Sequence, residues 1–176
     1  MPAAPTDARV VVGGVGHLYQ GDLDFGRVAV ERLAHDDLGE DVVVEEFSYG
    51  AVAVAQRLQE LAPEALVLIG ATSRGRRPGT VERREVAILP RSPEEIQSAI
   101  VDAVTGYIDL DLVLEVAQGL EALPPHVVTI EVEPARTEPS AWLSPEAERG
   151  VLEAIALVRA EVDRFGQATS SSSPRF

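Results

Sequence analysis

Short apolar runs alternate with longer segments of helical periodicity along most of this chain, and this alternation limits the folds available to it. Apolar or β-branched runs of the kind found in buried strands occur at residues 9–14, 41–47, 65–70, 81–89 and 127–132. Residues 65–70 form the most continuously apolar run, which predicts a central strand. Residues 81–89 alternate less cleanly and include charged side chains, which favours a position at a sheet edge.

The segments between these runs have apolar side chains at helical spacing. They lie at residues 25–38, 51–61, 93–103, 109–123 and 144–165. Strands that alternate with helices of this length form βαβ crossovers. We therefore predict an α/β fold, a three-layer α/β/α sandwich around a mostly parallel twisted sheet of about five strands.

The length of 176 residues suits a single domain with one core. We place this domain at residues 9–165 and predict a flexible N-terminal segment at residues 1–8. The serine run near the other end indicates a disordered tail at residues 166–176.

The charge of the chain limits its partners. A formal net charge of -14 would repel the phosphates of nucleic acid and of anionic membrane surfaces, so we expect neither as a partner. The sequence has no cysteine, which leaves oxygen and nitrogen atoms as metal ligands and agrees with a reducing compartment. Because we find neither a signal-peptide pattern nor an apolar run long enough to span a membrane, we expect a cytoplasmic protein.

Ligands of open α/β sheets bind beyond the carboxyl ends of the strands, which directs attention to loops 13–26, 46–51 and 71–80. The first loop is rich in glycine, yet it matches a dinucleotide-binding loop poorly because Tyr19 stands where a third glycine is needed. No Gly-Lys-Ser/Thr motif follows, and the chain has no lysine. Nucleotide binding is therefore disfavoured, and no organic cofactor is expected.

Three of the loop segments carry a second pattern. Residues 14–26 (GVGHLYQGDLDFG) place Gly-x-Gly before an apolar spacer, an acidic pair and a further glycine. Residues 46–50 (EFSYG) form an acidic residue and a turn after the second strand, and residues 66–80 (LVLIGATSRGRRPGT) end in Pro-Gly-Thr after the third. Toward the C-terminus, residues 110–114, 127–134 and 143–145 add an apolar helix, a strand ending in Glu-Pro and a Leu-Ser-Pro helix start.

In this order the segments resemble the hydrogenase maturation proteases, the endopeptidases that trim the C-terminus of the large subunit of nickel-iron hydrogenase. The resemblance spans residues 9–164 in collinear order. It implies a hydrogenase large subunit or a related metalloprotein as the partner, and nickel, supplied by that subunit, as the metal recognised.

The resemblance also implies three metal-binding positions, which fall on Leu23, on Glu46 and on Gly106 or Tyr107. Leucine cannot bind a metal, and neither glycine nor tyrosine replaces the histidine of the family, so only Glu46 retains a carboxylate. One interpretation is a rebuilt site formed by His17, Asp22 or Asp24, and Glu46. The alternative is that Asp22 and Asp24 cap the helix that starts near Phe25.

Arg74, Arg76 and Arg77 form the basic cluster of an acidic chain and are candidates for docking an acidic peptide or a carboxylate. The alternative is a solvated turn that ends at Pro78. Ser48 does not lie in a Gly-x-Ser-x-Gly context, so acyl-enzyme hydrolysis is disfavoured and no catalytic residue is assigned.

Two functions follow from the resemblance. One is a metal-sensing endopeptidase that processes the C-terminus of a hydrogenase large subunit. The other is a non-catalytic maturation or binding factor, a pseudoenzyme on the same fold. The two hypotheses differ in whether a metal site forms near Glu46.

Overall fold

The computed structural model describes residues 8–170, with side chains for residues 8–167. Residues 1–7 and 171–176, which belong to the predicted N-terminal segment and Ser-rich tail, lie outside the described residues. Within residues 8–170, no helix combines the length and the apolarity needed to cross a membrane.

The elements follow the predicted order along the chain. The strands are β1 (Val10–Gly14), β2 (Val42–Glu46), β3 (Ala65–Ala71), β4 (Val81–Glu85) and β5 (His126–Val132). The helices are α1 (Phe25–Leu33), α2 (Ala51–Leu61), α3 (Pro93–Val104), α4 (Leu110–Gly119) and α5 (Pro145–Ser170). A short 3₁₀ turn, Gly21–Asp24, precedes α1.

The strands form one five-stranded sheet in the order β2-β1-β3-β5-β4. Its first four strands are parallel, and β4 pairs antiparallel with β5 at the edge. The predicted mostly parallel sheet, with β3 at its centre, is confirmed. The charged sequence of β4 suits an edge strand, because charges there discourage pairing with other chains.

Alternate side chains of the central strands enter two separate apolar clusters, one on each face of the sheet. Leu66 and Leu68 pack with α2, α3 and α4, whereas Val67 and Ile69 pack with α1 and α5. This alternation follows from the two-residue period of a strand. The predicted three layers are therefore present, with α1 and α5 on one face and the other helices opposite.

Four boundaries differ from the prediction. Helix α1 ends at Leu33 instead of residue 38, and α4 ends at Gly119 because Glu121 adopts a left-handed backbone conformation with φ of 54°. Strand β4 ends at Glu85 instead of residue 89. Helix α5 passes the predicted boundary at residue 165 and continues to Ser170, so the first residues of the predicted tail are helical.

The glycines of the first loop allow β1 and α1 to pack closely. A Cβ atom on Gly26 would lie 2.1 Å from the carbonyl oxygen of Ile69 and 2.2 Å from that of Val15. A Cβ on Gly14 would lie 2.1 Å from the carbonyl oxygen of Gly26. These glycines therefore serve helix-to-sheet packing, which brings the start of α1 to the carboxyl end of the sheet.

We predict that Gly26→Ala lowers the free energy of unfolding by about 1–3 kcal/mol or more, because the added methyl group meets backbone that cannot move aside easily. Urea denaturation followed by circular dichroism measures this change. Gly166→Ala in α5 is the matched control, since a Cβ there meets no atom within 4 Å. Equal stability of the two variants would contradict the close-packing role of Gly26.

Candidate functional site

A cavity of about 240 Å³ opens at the carboxyl end of β3, among loops that the sequence singled out. Its lining includes Val15, His17, Leu23, Gly70, Thr72, Ser73, Tyr107, Ile108, Asp109 and Leu110. Another cavity, of about 320 Å³, lies at the amino ends of the strands, beside Arg83 and Glu161. We take the cavity at β3 as the candidate site because it lies where open α/β sheets bind ligands and contains two of the implied metal-binding positions.

Those two positions, Leu23 and Tyr107, both line the cavity. The ring of Tyr107 stacks on that of His17, with ring centroids 5.6 Å apart, and the Nε2–H group of His17 donates to the carbonyl oxygen of Ile108. Partial removal from water raises the pKa of Tyr107, and its hydrogen bond to Asp109 raises that pKa further. Tyr107 therefore remains a neutral phenol that donates a hydrogen bond.

Glu46, the third implied position, lies elsewhere. It is exposed at the end of β2, and it does not belong to the lining of this cavity. The strand whose carboxyl end reaches the cavity is β3, through Gly70. A Cβ on Gly70 would lie 2.8 Å from Cγ of Leu110, so leucine fills the space that a side chain at this position would need.

Asp22 has a structural role. Its side chain is fully buried, and its carboxylate accepts hydrogen bonds from the backbone N–H groups of Ala135, Arg136 and Ser144 at 2.7–2.9 Å. The hydroxyl of Ser144 donates a fourth bond at 2.7 Å and in turn accepts from the backbone of Ala147, which caps α5. Asp22 thus stabilises the start of α5 and does not cap α1, so the predicted capping role is wrong for this residue.

Asp24 is committed to an ion pair. Its carboxylate accepts three hydrogen bonds of 2.5–2.8 Å from the guanidinium group of Arg27, and it makes no capping bond to the backbone of α1. These hydrogen bonds, together with the charges of Asp24, Glu31 and Glu46, raise the pKa of Arg27. Asp24 is therefore neither a helix cap through its side chain nor available to a metal in this arrangement.

The predicted ligands consequently do not fit one nickel site. His17 lies in the cavity, Asp22 and Asp24 are held by other partners, and Glu46 is at another strand end. Across residues 8–167, no three histidine, aspartate, glutamate or cysteine side chains are placed to hold a metal ion.

The predicted docking arginines form an internal network instead of an open basic surface. Arg74 donates to both oxygens of Glu131 at 3.0–3.1 Å, and Arg76 donates to Glu133 at 3.1 Å. Glu131 is only 1% exposed. Arg74 and Arg77 are exposed and Arg76 is half-buried. The alternative of a simple solvated turn is also wrong for Arg74 and Arg76, because their charges fasten loop 71–80 to β5.

The polar groups that sequence analysis missed are Thr72 and Ser73, which line the cavity together with Asp109. The Thr72 hydroxyl oxygen is buried, and it has no hydrogen-bond partner in the described part of the chain. Asp109 accepts a bond of 2.8 Å from the backbone of Leu112 at the start of α4. The position of Thr72 just after a central strand was a usable signal, whereas the burial of its hydroxyl was not visible in the sequence.

Comparison with solved structures identifies the architecture. The hydrogenase maturating endopeptidase HybD from E. coli superposes with a TM-score of 0.67 at 21% identity, covering 90% of this chain and 94% of that protein. A hydrogenase 2 maturation peptidase from a Thaumarchaeota archaeon gives 0.64 at 24% identity, with coverage of 88% and 97%. The maturation protease HycI from Thermococcus kodakarensis gives 0.67 at 17% identity, with coverage of 89% and 93%.

This chain has the fold of the hydrogenase maturation proteases. No protein-family model matches the sequence, and no curated protein matches it significantly. The hydrogenase maturation protease fold is therefore recognised through the shared three-dimensional arrangement, and residues of segments 14–26, 66–80 and 110–114 line its cavity.

We predict that Asp22→Asn lowers the free energy of unfolding of metal-free protein by about 2–3 kcal/mol, because the amide would face several hydrogen-bond donors with one oxygen. Urea denaturation after chelator treatment measures the effect. If Asp22 acted only as a metal ligand, the metal-free protein would be as stable with asparagine as with aspartate.

A second prediction concerns two buried acidic residues, Glu131 on β5 and Glu133 just after it. Burial raises the pKa of Glu131 and of Glu133, but bonds from the loop that contains Arg74 and Arg76 outweigh burial and place both values below 4.5. The stabilisation of the folded state by these two carboxylates is therefore complete above pH 4.5. It is lost as the pH falls through their lower folded-state pKa values.

Glu131→Gln should cost about 3 kcal/mol at pH 7, because it leaves the guanidinium groups without their buried counter-charge. The difference from the parent protein should shrink as the pH falls below 4.5. Urea denaturation at neutral and acidic pH tests this, with exposed Glu85→Gln as the matched control at about 0–1 kcal/mol. A difference that does not change with pH would contradict the proposed charge pairing.

Proposed function

We propose that this chain is a non-catalytic hydrogenase maturation factor that binds the C-terminal segment of a nickel-iron hydrogenase large subunit in the cavity at the end of β3. The proposal combines the fold with the chemistry of the cavity. Solved structures that share this fold are maturation peptidases by name, and in this chain the carboxyl end of the sheet has a cavity of side-chain size.

The observation that carries the proposal is the presence of Leu23 and Leu110 in the cavity lining. Leu23 occupies the first implied metal position, and Leu110 occupies the space beside Gly70 where a strand-end side chain would stand. Tyr107, which with Gly106 is one of the two residues at the position implied for a histidine, is a neutral hydrogen-bond donor. Such side chains favour burial of an apolar peptide side chain over coordination of a divalent metal.

Two hydroxyl groups in the cavity lining supply the directional contacts that a peptide needs. The unpartnered hydroxyl of Thr72 and the side chain of Ser73 can bond to peptide N–H and C=O groups. A buried hydroxyl without a partner is costly, and a bound peptide would remove that cost. The cavity volume of about 240 Å³ suits one or two side chains of a chain end.

The second candidate is a metal-dependent endopeptidase, and a specific observation favours it. His17 and Asp109 line the same cavity, and an imidazole with a carboxylate suits a divalent transition metal. The incoming hydrogenase subunit would then bring the nickel and its remaining ligands. This candidate predicts nickel-dependent cleavage that is lost in His17→Ala.

Calorimetric titration of chelator-treated protein with a synthetic peptide that has the C-terminal sequence of a hydrogenase large subunit tests the first candidate. We expect binding without nickel, weakened about five- to tenfold by Thr72→Val, since a neutral hydrogen bond contributes about 1 kcal/mol. Exposed Ser98→Ala on α3 is the control and should bind like the parent protein. Absence of binding to both the peptide and the whole precursor protein would overturn the proposal.

Mass spectrometry of the nickel-loaded precursor incubated with this protein separates the two candidates. An intact precursor that remains bound agrees with the non-catalytic factor. A shortened precursor, with no shortening by His17→Ala, establishes the endopeptidase. Glu46→Ala should behave like the parent in both assays, because Glu46 is outside the cavity.

A further inference from the structure

Exposed aromatic side chains stand on two loops, one just before the 3₁₀ turn Gly21–Asp24 and one just before α5. Tyr19 is 64% exposed and Trp142 is 79% exposed, and Leu18 next to Tyr19 is 55% exposed. Large apolar side chains are costly to leave in water, and an exposed group of them on a folded protein marks an interaction surface. We call these three residues the aromatic surface.

Backbone hydrogen bonds bring the two loops together. The N–H of Ser140 donates to the carbonyl oxygen of Tyr19 at 3.0 Å, and the N–H of Gly21 donates to the carbonyl oxygen of Ser140 at 3.1 Å. The hydroxyl of Ser140 accepts from the backbone N–H of Trp142 at 3.1 Å. The two aromatic residues are therefore held on adjoining segments although they are far apart in the sequence.

The support beneath the aromatic surface is rigid. Asp22 fixes both the turn after Tyr19 and the segment from Ala135 to Ser144 through its four buried hydrogen bonds. Tyr19 is kept in a left-handed backbone conformation, with φ of 66°, that a non-glycine residue adopts at an energetic cost. Aromatic side chains on a pre-organised backbone lose little entropy on binding, which favours their use as anchors.

The charge of the molecule selects the partner. The formal net charge is -14, and most arginines in residues 8–167 form ion pairs with carboxylates, so the unpaired surface charge is predominantly negative. Glu138, on the same segment as Trp142, is exposed. A basic partner would be attracted by this field, and guanidinium or ammonium groups bind to the faces of tyrosine and tryptophan rings.

We infer that the aromatic surface is a docking site for a basic polypeptide segment whose arginine or lysine side chains contact Tyr19 and Trp142. The site is separate from the cavity at β3 and does not depend on the proposed function. Binding there would increase the residence time of a partner whose other parts engage the molecule elsewhere.

The single tryptophan of the chain makes the test specific, because Trp142 is the sole source of tryptophan fluorescence. An arginine–alanine repeat peptide should change the emission of Trp142 saturably and less strongly at high salt, whereas the matching glutamate–alanine peptide should not. An unchanged emission with the arginine peptide would overturn the inference.

Calorimetric titration with the arginine peptide tests the anchors individually. Tyr19→Ala and Trp142→Ala should each weaken binding about tenfold, as expected for aromatic anchors that contribute more than 1 kcal/mol. Leu152→Ala, at an exposed position on α5, is the matched control and should bind normally. Equal affinity of the parent protein and all three variants for the peptide would assign the binding to charge alone and refute the aromatic site.

Two further outcomes distinguish binding at the aromatic surface from binding elsewhere on the molecule. Thr72→Val should bind the arginine peptide like the parent protein, which distinguishes failure of the aromatic surface from failure of the cavity proposal. If dilution of the protein alone changes the emission of Trp142, the surface is occupied by a second copy of the chain, and a basic segment is not its partner.

Discussion

The carboxylate of Asp22 joins the first loop to the segment before the last helix, and the arrangement at the carboxyl end of the sheet depends on this junction. Four donors from positions 135–144 converge on one buried charge. A buried carboxylate is tolerated only when its oxygens are fully hydrogen-bonded, so these contacts specify one position for the segment. The cap of α5 and the pair of loops that present Tyr19 and Trp142 both follow from it.

The carboxyl end of the sheet combines a shared architecture with altered chemistry. Close packing through Gly14 and Gly26 brings the first loop against the sheet, as the glycine pattern requires. Leu23, at a position where the resemblance implied a metal ligand, and Leu110 then contribute apolar side chains to the cavity lining. The fold is compatible with metal binding and with binding of an apolar side chain. The side chains at strand ends and in loops determine the chemistry, while the sheet only positions them.

The residues proposed for one site lie apart for one physical reason. Either Asp22 or Asp24 was expected to join His17 and Glu46, yet Asp22 turns inward to α5 and Asp24 turns to Arg27. Glu46 was assigned to the site through the resemblance, but the strand that reaches the cavity is β3. Arg74 and Arg76 suggested a free basic surface because Glu131 and Glu133, their partners, lie more than fifty residues away in the chain.

The sequence by itself determined the order and type of nearly every element, because the apolar periods of strands and helices are local properties of the chain. It also determined the central place of β3 and the resemblance that the shared fold later matched. The tertiary structure alone decided which charged groups are neighbours, that Thr72 has a buried hydroxyl without a partner in the described residues, and that Tyr19 adjoins the segment of Trp142. Such pairings join segments that are distant in the sequence. They are selected by hydrogen bonding and burial in three dimensions, which no local sequence pattern encodes.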